Sequence, residues 1–226
     1  MAAPRFRIST LIDFIKTMPH SSIVDLGCGE GELLREIGGE FQGSKLCGID
    51  LSAISIASNR LSEPMVSWHE IDLDNADVIT SDLEGVFDVV SAMEIIEHVD
   101  SPELFLKNAR ALSKRDKGHL FLSTQGGKIS ETEKRVGHVR HFTSESIFSL
   151  LKKTGWEPIK VWNSGFPFHD LSKKLANIKP DSTMRSFSDK PYGFYQNLIC
   201  AILRFLFKFN SGKRGSQLFA IAKNGG

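Results

Sequence analysis

The stretch Val24-Asp25-Leu26-Gly27-Cys28-Gly29-Glu30-Gly31 constrains the fold of this chain more than any other. It begins at the end of a short apolar run (22–26, SIVDL), sets three glycines at alternate positions and leads directly into a helical pattern over 31–37. A strand that turns into a helix through glycines uses backbone torsions that side chains oppose, and it lets a ligand come close to the main chain. Such a turn points to a nucleotide-like ligand at the carboxyl end of the strand. The next strand, 45–50, ends in Asp50, where a carboxylate can accept hydrogen bonds from both hydroxyls of a ribose. A third strand over 66–71 is followed by Asp72-Leu73, an acid and an apolar side chain able to bracket an adenine. The glycine spacing is GxGxG rather than GxGxxG, and Asp25 sits inside the strand just before it. A pyrophosphate wants an uncharged helix start lined by N–H groups. Asp25 instead suits a ligand carrying a cationic amine, which argues against a dinucleotide.

The beat of strand and helix continues, with helices over 53–61 and 102–112 and strands over 86–92 (VFDVVSA) and 119–123. Strands separated by helical segments predict βαβ units and a parallel sheet. They are apolar on both faces, as expected where helices cover both sides, so the fold class is α/β. In the second half the pattern gives a helix over 143–153, stopped at Gly155, and strands over 157–163 and 217–223. The roughly fifty residues between those strands, with prolines at 167, 180 and 191, make no βαβ unit and are too long for an ordinary loop. A helical lid or docking insertion over 167–216, inside a single domain covering 1–226, is the expectation. The composition, 41% hydrophobic and 24% charged, is that of a soluble globular protein rather than a disordered, collagen-like or coiled-coil one. Cys28, Cys47 and Cys200 form no CxxC pair, so neither a disulfide framework nor a cysteine zinc site is expected. With no signal peptide read in residues 1–7, the expected compartment is reducing and cytoplasmic.

The motifs VDLGCGEG (24–31), Asp50, Asp72 and FDVVSAMEIIEHV (87–99) together resemble those of the class I S-adenosylmethionine-dependent methyltransferases. The resemblance covers about residues 20–165 and the last strand. It implies a Rossmann-like seven-stranded sheet of order 3-2-1-4-5-7-6 with helices on both faces and an antiparallel last strand, 217–223. It also implies S-adenosyl-L-methionine as cofactor. Gly27, Cys28, Gly29 and Gly31 would run along its methionine and ribose, and Asp25 would position the amino acid end. Asp50 would hold the ribose hydroxyls, while Leu51, Asp72 and Leu73 would flank the adenine. Met93 and Glu94 would line the path to the sulfonium.

Glu94, Glu97 and His98 form an ExxEH cluster directly after the fourth strand. On a helix these positions share one face, and two carboxylates with an imidazole can take Mg²⁺ or Zn²⁺. ExxEH is similar to a segment of the ubiquinone-pathway O-methyltransferases and of small-RNA 2′-O-methyltransferases, in which it holds a metal. Three readings stay open: a metal set Glu94, Glu97, His98; a general base at His98; and a purely structural cluster. His138 and His141, in Gly137-His138-Val139-Arg140-His141-Phe142, are further candidates for the base or for completing a metal site.

The net charge is +1, yet from residue 171 onward there are about ten Lys/Arg against two Asp/Glu. Residues 195–209 (YQNLICAILRFLFKF) are the most hydrophobic stretch, too short to span a bilayer. They read either as a lid packed over the acceptor site or, through 195–214, as a peripheral membrane contact. The expected function is S-adenosylmethionine-dependent methylation, on oxygen, of a small hydrophobic or anionic molecule. The alternatives are an RNA 2′-O-methyltransferase and a non-catalytic S-adenosylmethionine-binding protein; nucleic acid is not the expected partner.

Overall fold

The computed structural model describes residues 2–178, 181 and 193–226. Its strands are β1 (Ser22–Leu26), β2 (Lys45–Asp50), β3 (Ser67–Glu70), β4 (Val89–Met93), β5 (His119–Gln125), β6 (Trp156–Ser164) and β7 (Gln217–Asn224). Its helices are α1 (Ala2–Ile15), α2 (Glu32–Glu40), α3 (Ala53–Ser62), α4 (Pro102–Leu112), α5 (Glu131–Arg135), α6 (Ser144–Lys153), α7 (Phe168–Ile178) and α8 (Phe194–Phe207). The strands form one seven-stranded sheet of order β3-β2-β1-β4-β5-β7-β6, the order that the resemblance implies. β1 to β5 run parallel to one another, and β7 pairs antiparallel with both β5 and β6.

Period-two alternation divides the sheet's side chains between two cores. Ile23, Val89, Phe121 and Phe219 face one side, where Ile8, Leu11 and Ile15 of α1 and Leu33 and Ile37 of α2 cover them. Val24, Val90, Leu120, Leu122, Leu218 and Ala220 face the other, under Phe105, Leu106 and Ala109 of α4 and Ile147 and Leu151 of α6. Each large side chain buried this way contributes about 1.5–3 kcal/mol, so both layers are needed to hold the sheet flat against its helices. Local signals set the helix starts. Ser101 accepts from the Leu104 N–H with Pro102 in the first turn, and Ser52 caps α3 through the Ser55 N–H.

Several boundaries differ from the sequence expectation for physical reasons. The fourth strand starts at Val89 rather than at 86: Phe87 makes an isolated bridge to Ser113 instead, while the Asp88 carboxylate accepts from the Ser21 and Ser22 N–H groups and from Lys114 Nζ. The helix α1 has no counterpart in the sequence reading, nor has α5. Pro158 fits β6 because that strand lies at the sheet edge and is irregular between Pro158 and Lys160. The insertion holds α7 and α8; Pro180, Pro191 and Tyr192 fall outside the described residues.

Candidate active site and cofactor cleft

β1 and β4 are neighbours whose connections leave in opposite directions, so their carboxyl ends open a cleft at the switch point of the sheet. Gly27 sits at the centre with φ 68°, and Ile95 packs directly on its Cα, where any Cβ would collide. On one side a cavity of about 320 Å³ is lined by Asp25, Cys28, Met93 and Glu94, with Pro4, Arg7 and Ile8 of α1 as its outer wall. On the other a narrow cleft of about 50 Å³ runs between Asp50, Leu51, Asp72 and Leu73, backed by Ile95, Val99 and Phe105. The two share Gly27, so an elongated ligand can lie across the turn with an amino acid end by Asp25 and an aromatic end by Leu51 and Leu73.

The carboxylates of the cleft are specialised. Asp50 accepts the Gly29 N–H at 2.8 Å and the Ser52 N–H at 2.9 Å, and so ties the glycine turn to the start of α3. Asp72 accepts from the Asp74 N–H and from Asn75 Nδ2, which shapes its own loop. Asp25 is buried. Burial pushes its pKa up to about 7, the neighbouring Ser91 hydroxyl pulls it back, and the nearby Asp50 adds to the rise. A cationic group placed beside Asp25 would reverse that shift. Gly29 and Gly31 take positive φ (48° and 73°) but line neither cavity; Gly31 precedes α2 and packs against Trp68.

The ExxEH segment is a turn, not a helix, because Glu94 adopts φ 54° straight after β4. The helical face expected to align Glu94, Glu97 and His98 therefore does not form. Glu94 turns away to accept from Ser123 Oγ (3.0 Å), Gln125 Nε2 (2.7 Å) and Gln217 Nε2 (2.9 Å), with Arg7 at 3.7 Å. Burial works against its charge, but Arg7 and these donors outweigh it and hold its pKa below the usual carboxylate range. Glu97 is fully buried, and burial together with the Glu94 charge pushes its pKa up. Its Oε2 accepts from Thr124 Oγ1 at 2.7 Å, while Oε1 has no protein partner. The two carboxylates thus differ: Glu94 carries charge and Glu97 holds a proton near neutrality.

His98, His138 and His141 do come together, as a chain. His141 Nδ1 donates to the Gly127 carbonyl at 3.0 Å, since a carbonyl only accepts. Its Nε2 lies 3.1 Å from His138 Nδ1, and Glu133 lies 3.7 Å from the same nitrogen. Burial and neighbouring His98 push the pKa of His138 down to about 4, so this ring is neutral at physiological pH. His98 is exposed, donates from Nδ1 to the Gly137 carbonyl at 3.0 Å and stacks edge-on with His138 at 4.7 Å between centroids. Among the described residues, two groups could gather ligand atoms within 4.8 Å: Glu97, His98, His138 and Glu133, His138, His141.

A third cavity, of about 500 Å³, lies beyond the network of Glu94, Gln125 and Gln217, under α7. Its apolar surface comes from Phe166, Pro167 and Leu171, and its polar rim from Lys173, Ser130, Asn177 and the Gly126-Gly127 backbone. Lys173 bridges Glu133 at 2.6 Å and Gln125 Oε1 at 3.3 Å. Arg7, Gln125, Gln217 and Lys173 were not singled out from sequence. Only the i, i+3, i+7 spacing of Ile8, Leu11 and Ile15 hinted that α1 existed to carry Arg7.

This sheet is the frame of a class I S-adenosylmethionine-dependent methyltransferase. The chain belongs to the methyltransferase-domain family, whose profile matches residues 4–161. The ubiquinone biosynthesis O-methyltransferase of Coxiella burnetii is 31% identical over 110 residues, covering 48% of this chain. That alignment takes in 45% of the Coxiella protein, so the match spans about half of either sequence. A putative methyltransferase from Bacillus halodurans superposes with a TM-score of 0.62 at 17% identity, over 97% of this chain and 99% of that one. Phosphoethanolamine N-methyltransferase 2 of Haemonchus contortus, solved with S-adenosyl-L-methionine, gives 0.64 at 20% identity, over 97% and 52%. Among the described residues no helix is long and apolar enough to cross a membrane.

Proposed function

We propose that this enzyme transfers the methyl group of S-adenosylmethionine to an oxygen of a small hydrophobic acceptor. The observation that supports oxygen is the histidine chain, which sets a neutral His138 edge-on against exposed His98. A hydroxyl must lose its proton as its oxygen takes the methyl carbon, whereas an amine already offers a lone pair. In this reading the sulfonium carbon–sulfur bond breaks as the carbon–oxygen bond forms. The hydroxyl proton passes to His98 or His138, and S-adenosylhomocysteine leaves. Asp25 pairs with the cofactor's ammonium, Arg7 with its carboxylate, and Asp50 with its ribose, which sets the methyl in line. The similarity to a named ubiquinone-pathway O-methyltransferase supports the same acceptor class.

A divalent cation such as Mg²⁺ or Zn²⁺ is a second reading, favoured by the partnerless Oε1 of Glu97 beside two imidazoles. Glu97, His98 and His138 are the residues that would hold it, and its chemistry would be to acidify the acceptor hydroxyl.

The test is transfer of a labelled methyl from S-adenosylmethionine to phenols, catechols and amines, with wild type, His98→Ala and His138→Ala. Catechol or phenol turnover that falls at least about a hundred-fold in either variant, at unchanged cofactor affinity, is expected. Turnover of amines alone, or full O-methylation by both variants, would overturn the reading. Loss of turnover on chelation, restored by the cation, would favour the metal over the bare base.

A further inference from the structure

The helix α8 carries its most hydrophobic residues outward. Only Phe207 is buried, against Phe6 of α1 and His169 of α7. Phe194 (77% exposed), Leu198, Ile199, Ile202 and Phe205 (60% exposed) fall in one stripe on the 3.6-residue period, and Phe209 extends it just past the helix end. A stripe of aromatic and branched side chains left in water is costly, at about 25 cal/mol per Å² of apolar surface. The flank beside the stripe holds Arg204 and Lys208, both exposed, followed by exposed Lys213 and Arg214. From residue 193 to the end the sequence contains no Asp or Glu. α7, which packs on α8, adds Leu171, Leu175 and Ile178, exposed at i, i+4 and i+7.

We infer that this surface of α7 and α8 docks in the interface of an anionic lipid bilayer, the apolar stripe entering among acyl chains and the flanking cations meeting lipid phosphates. An amphipathic helix with an aromatic and aliphatic face beside basic residues has the chemistry of interfacial binding. Charge decides between occupants. A second copy of the chain would bring the same basic flank against itself, whereas a sheet of anionic head groups complements it, at about 1 kcal/mol per cation near the surface. The lid reading does not hold for this face of α8, since its stripe is turned to solvent. Exposed Leu171 belongs both to this surface and to the wall of the 500 Å³ cavity.

The test is co-sedimentation of the full chain, without cofactor or acceptor, with vesicles of phosphatidylcholine alone or with 30 mol% phosphatidylglycerol. Binding to the anionic vesicles at least ten-fold tighter than to neutral ones, and released by 0.5 M KCl, is expected. Ile199→Asp with Phe205→Asp, and separately Arg204→Glu with Lys208→Glu, should each lower binding at least ten-fold while the circular dichroism spectrum and melting midpoint hold. The charge-reversed pair leaves the apolar stripe intact, so it reports on docking even if the first pair disturbs packing. Equal binding to both vesicle types, no binding to either, or wild-type binding by both variants would overturn the inference. So would sedimentation equilibrium showing a dimer that Ile199→Asp dissolves, which would make a second copy the occupant. Activity plays no part in these readouts, so an error about the acceptor would leave them unchanged.

Discussion

Replacing Asp25 by asparagine keeps the shape of the side chain and removes its ionisation. In the free protein, burial holds the Asp25 pKa at about 7, against an ordinary value of 3.8. The unfolded chain is fully ionised above pH 5, so the native state binds the extra proton. A group of this kind lends stability that is complete below its unfolded pKa and is lost as pH rises through the folded one. From pH 5.5 to about 7, a span of roughly 1.5 units, the native state still holds a proton that the unfolded chain lacks, so stability falls by about 1.4 kcal/mol per unit; by pH 8 Asp25 alone costs about 2 kcal/mol. Glu97, also raised by burial, changes in the same direction but is common to both proteins. Urea denaturation of cofactor-free wild type and Asp25→Asn at the two pH values isolates the term. The asparagine protein should lose about 2 kcal/mol less than wild type on going to pH 8. The same variant should bind S-adenosylhomocysteine at least ten-fold more weakly at pH 8, because the ammonium loses its anion. Parallel pH profiles for the two proteins, together with unchanged affinity, would refute both the buried titration and the pairing.

Asp50→Ala frees the Gly29 and Ser52 N–H groups and removes the carboxylate proposed to hold the ribose, so cofactor affinity should fall by about 1.5–3 kcal/mol in calorimetric titration. Unchanged affinity would remove Asp50 from the ribose role. Arg7→Met keeps the packing length of the α1 side chain but removes the cation facing Glu94 and the cofactor cavity. Binding of S-adenosylhomocysteine should weaken about ten-fold or more, while decarboxylated analogues lose little. An equal loss for both ligands would place Arg7 in the fold rather than at the carboxylate.

The parts of this architecture written locally were readable from sequence. The β1–turn–α2 unit is fixed by Gly27, Gly29 and Gly31 in left-handed backbone, and the strands of the parallel sheet by runs that are apolar on both faces. The return of 217–223 as an antiparallel strand followed only from the family pattern. The ExxEH cluster misled because a helical face was assumed where Glu94 turns the chain. Its carboxylate is then captured by Gln217, 123 residues further on, a pairing that no local pattern encodes. α1 escaped notice because Pro4, Arg5 and Arg7 interrupt its apolar spacing, although Ile8, Leu11 and Ile15 are buried. Hydrophobicity marked α8 as a helix but could not say which side would meet protein. The answer depends on a single anchor, Phe207, that seats between α1 and α7.

The central claim is that the cleft across Gly27 holds S-adenosylmethionine, with Asp25 at one end and Asp50 beside the ribose. Calorimetric titration of S-adenosylhomocysteine into the purified chain tests it most directly. The account predicts one site of micromolar affinity, weakened by both Asp25→Asn and Asp50→Ala. No detectable binding, or binding that neither substitution changes, would contradict it.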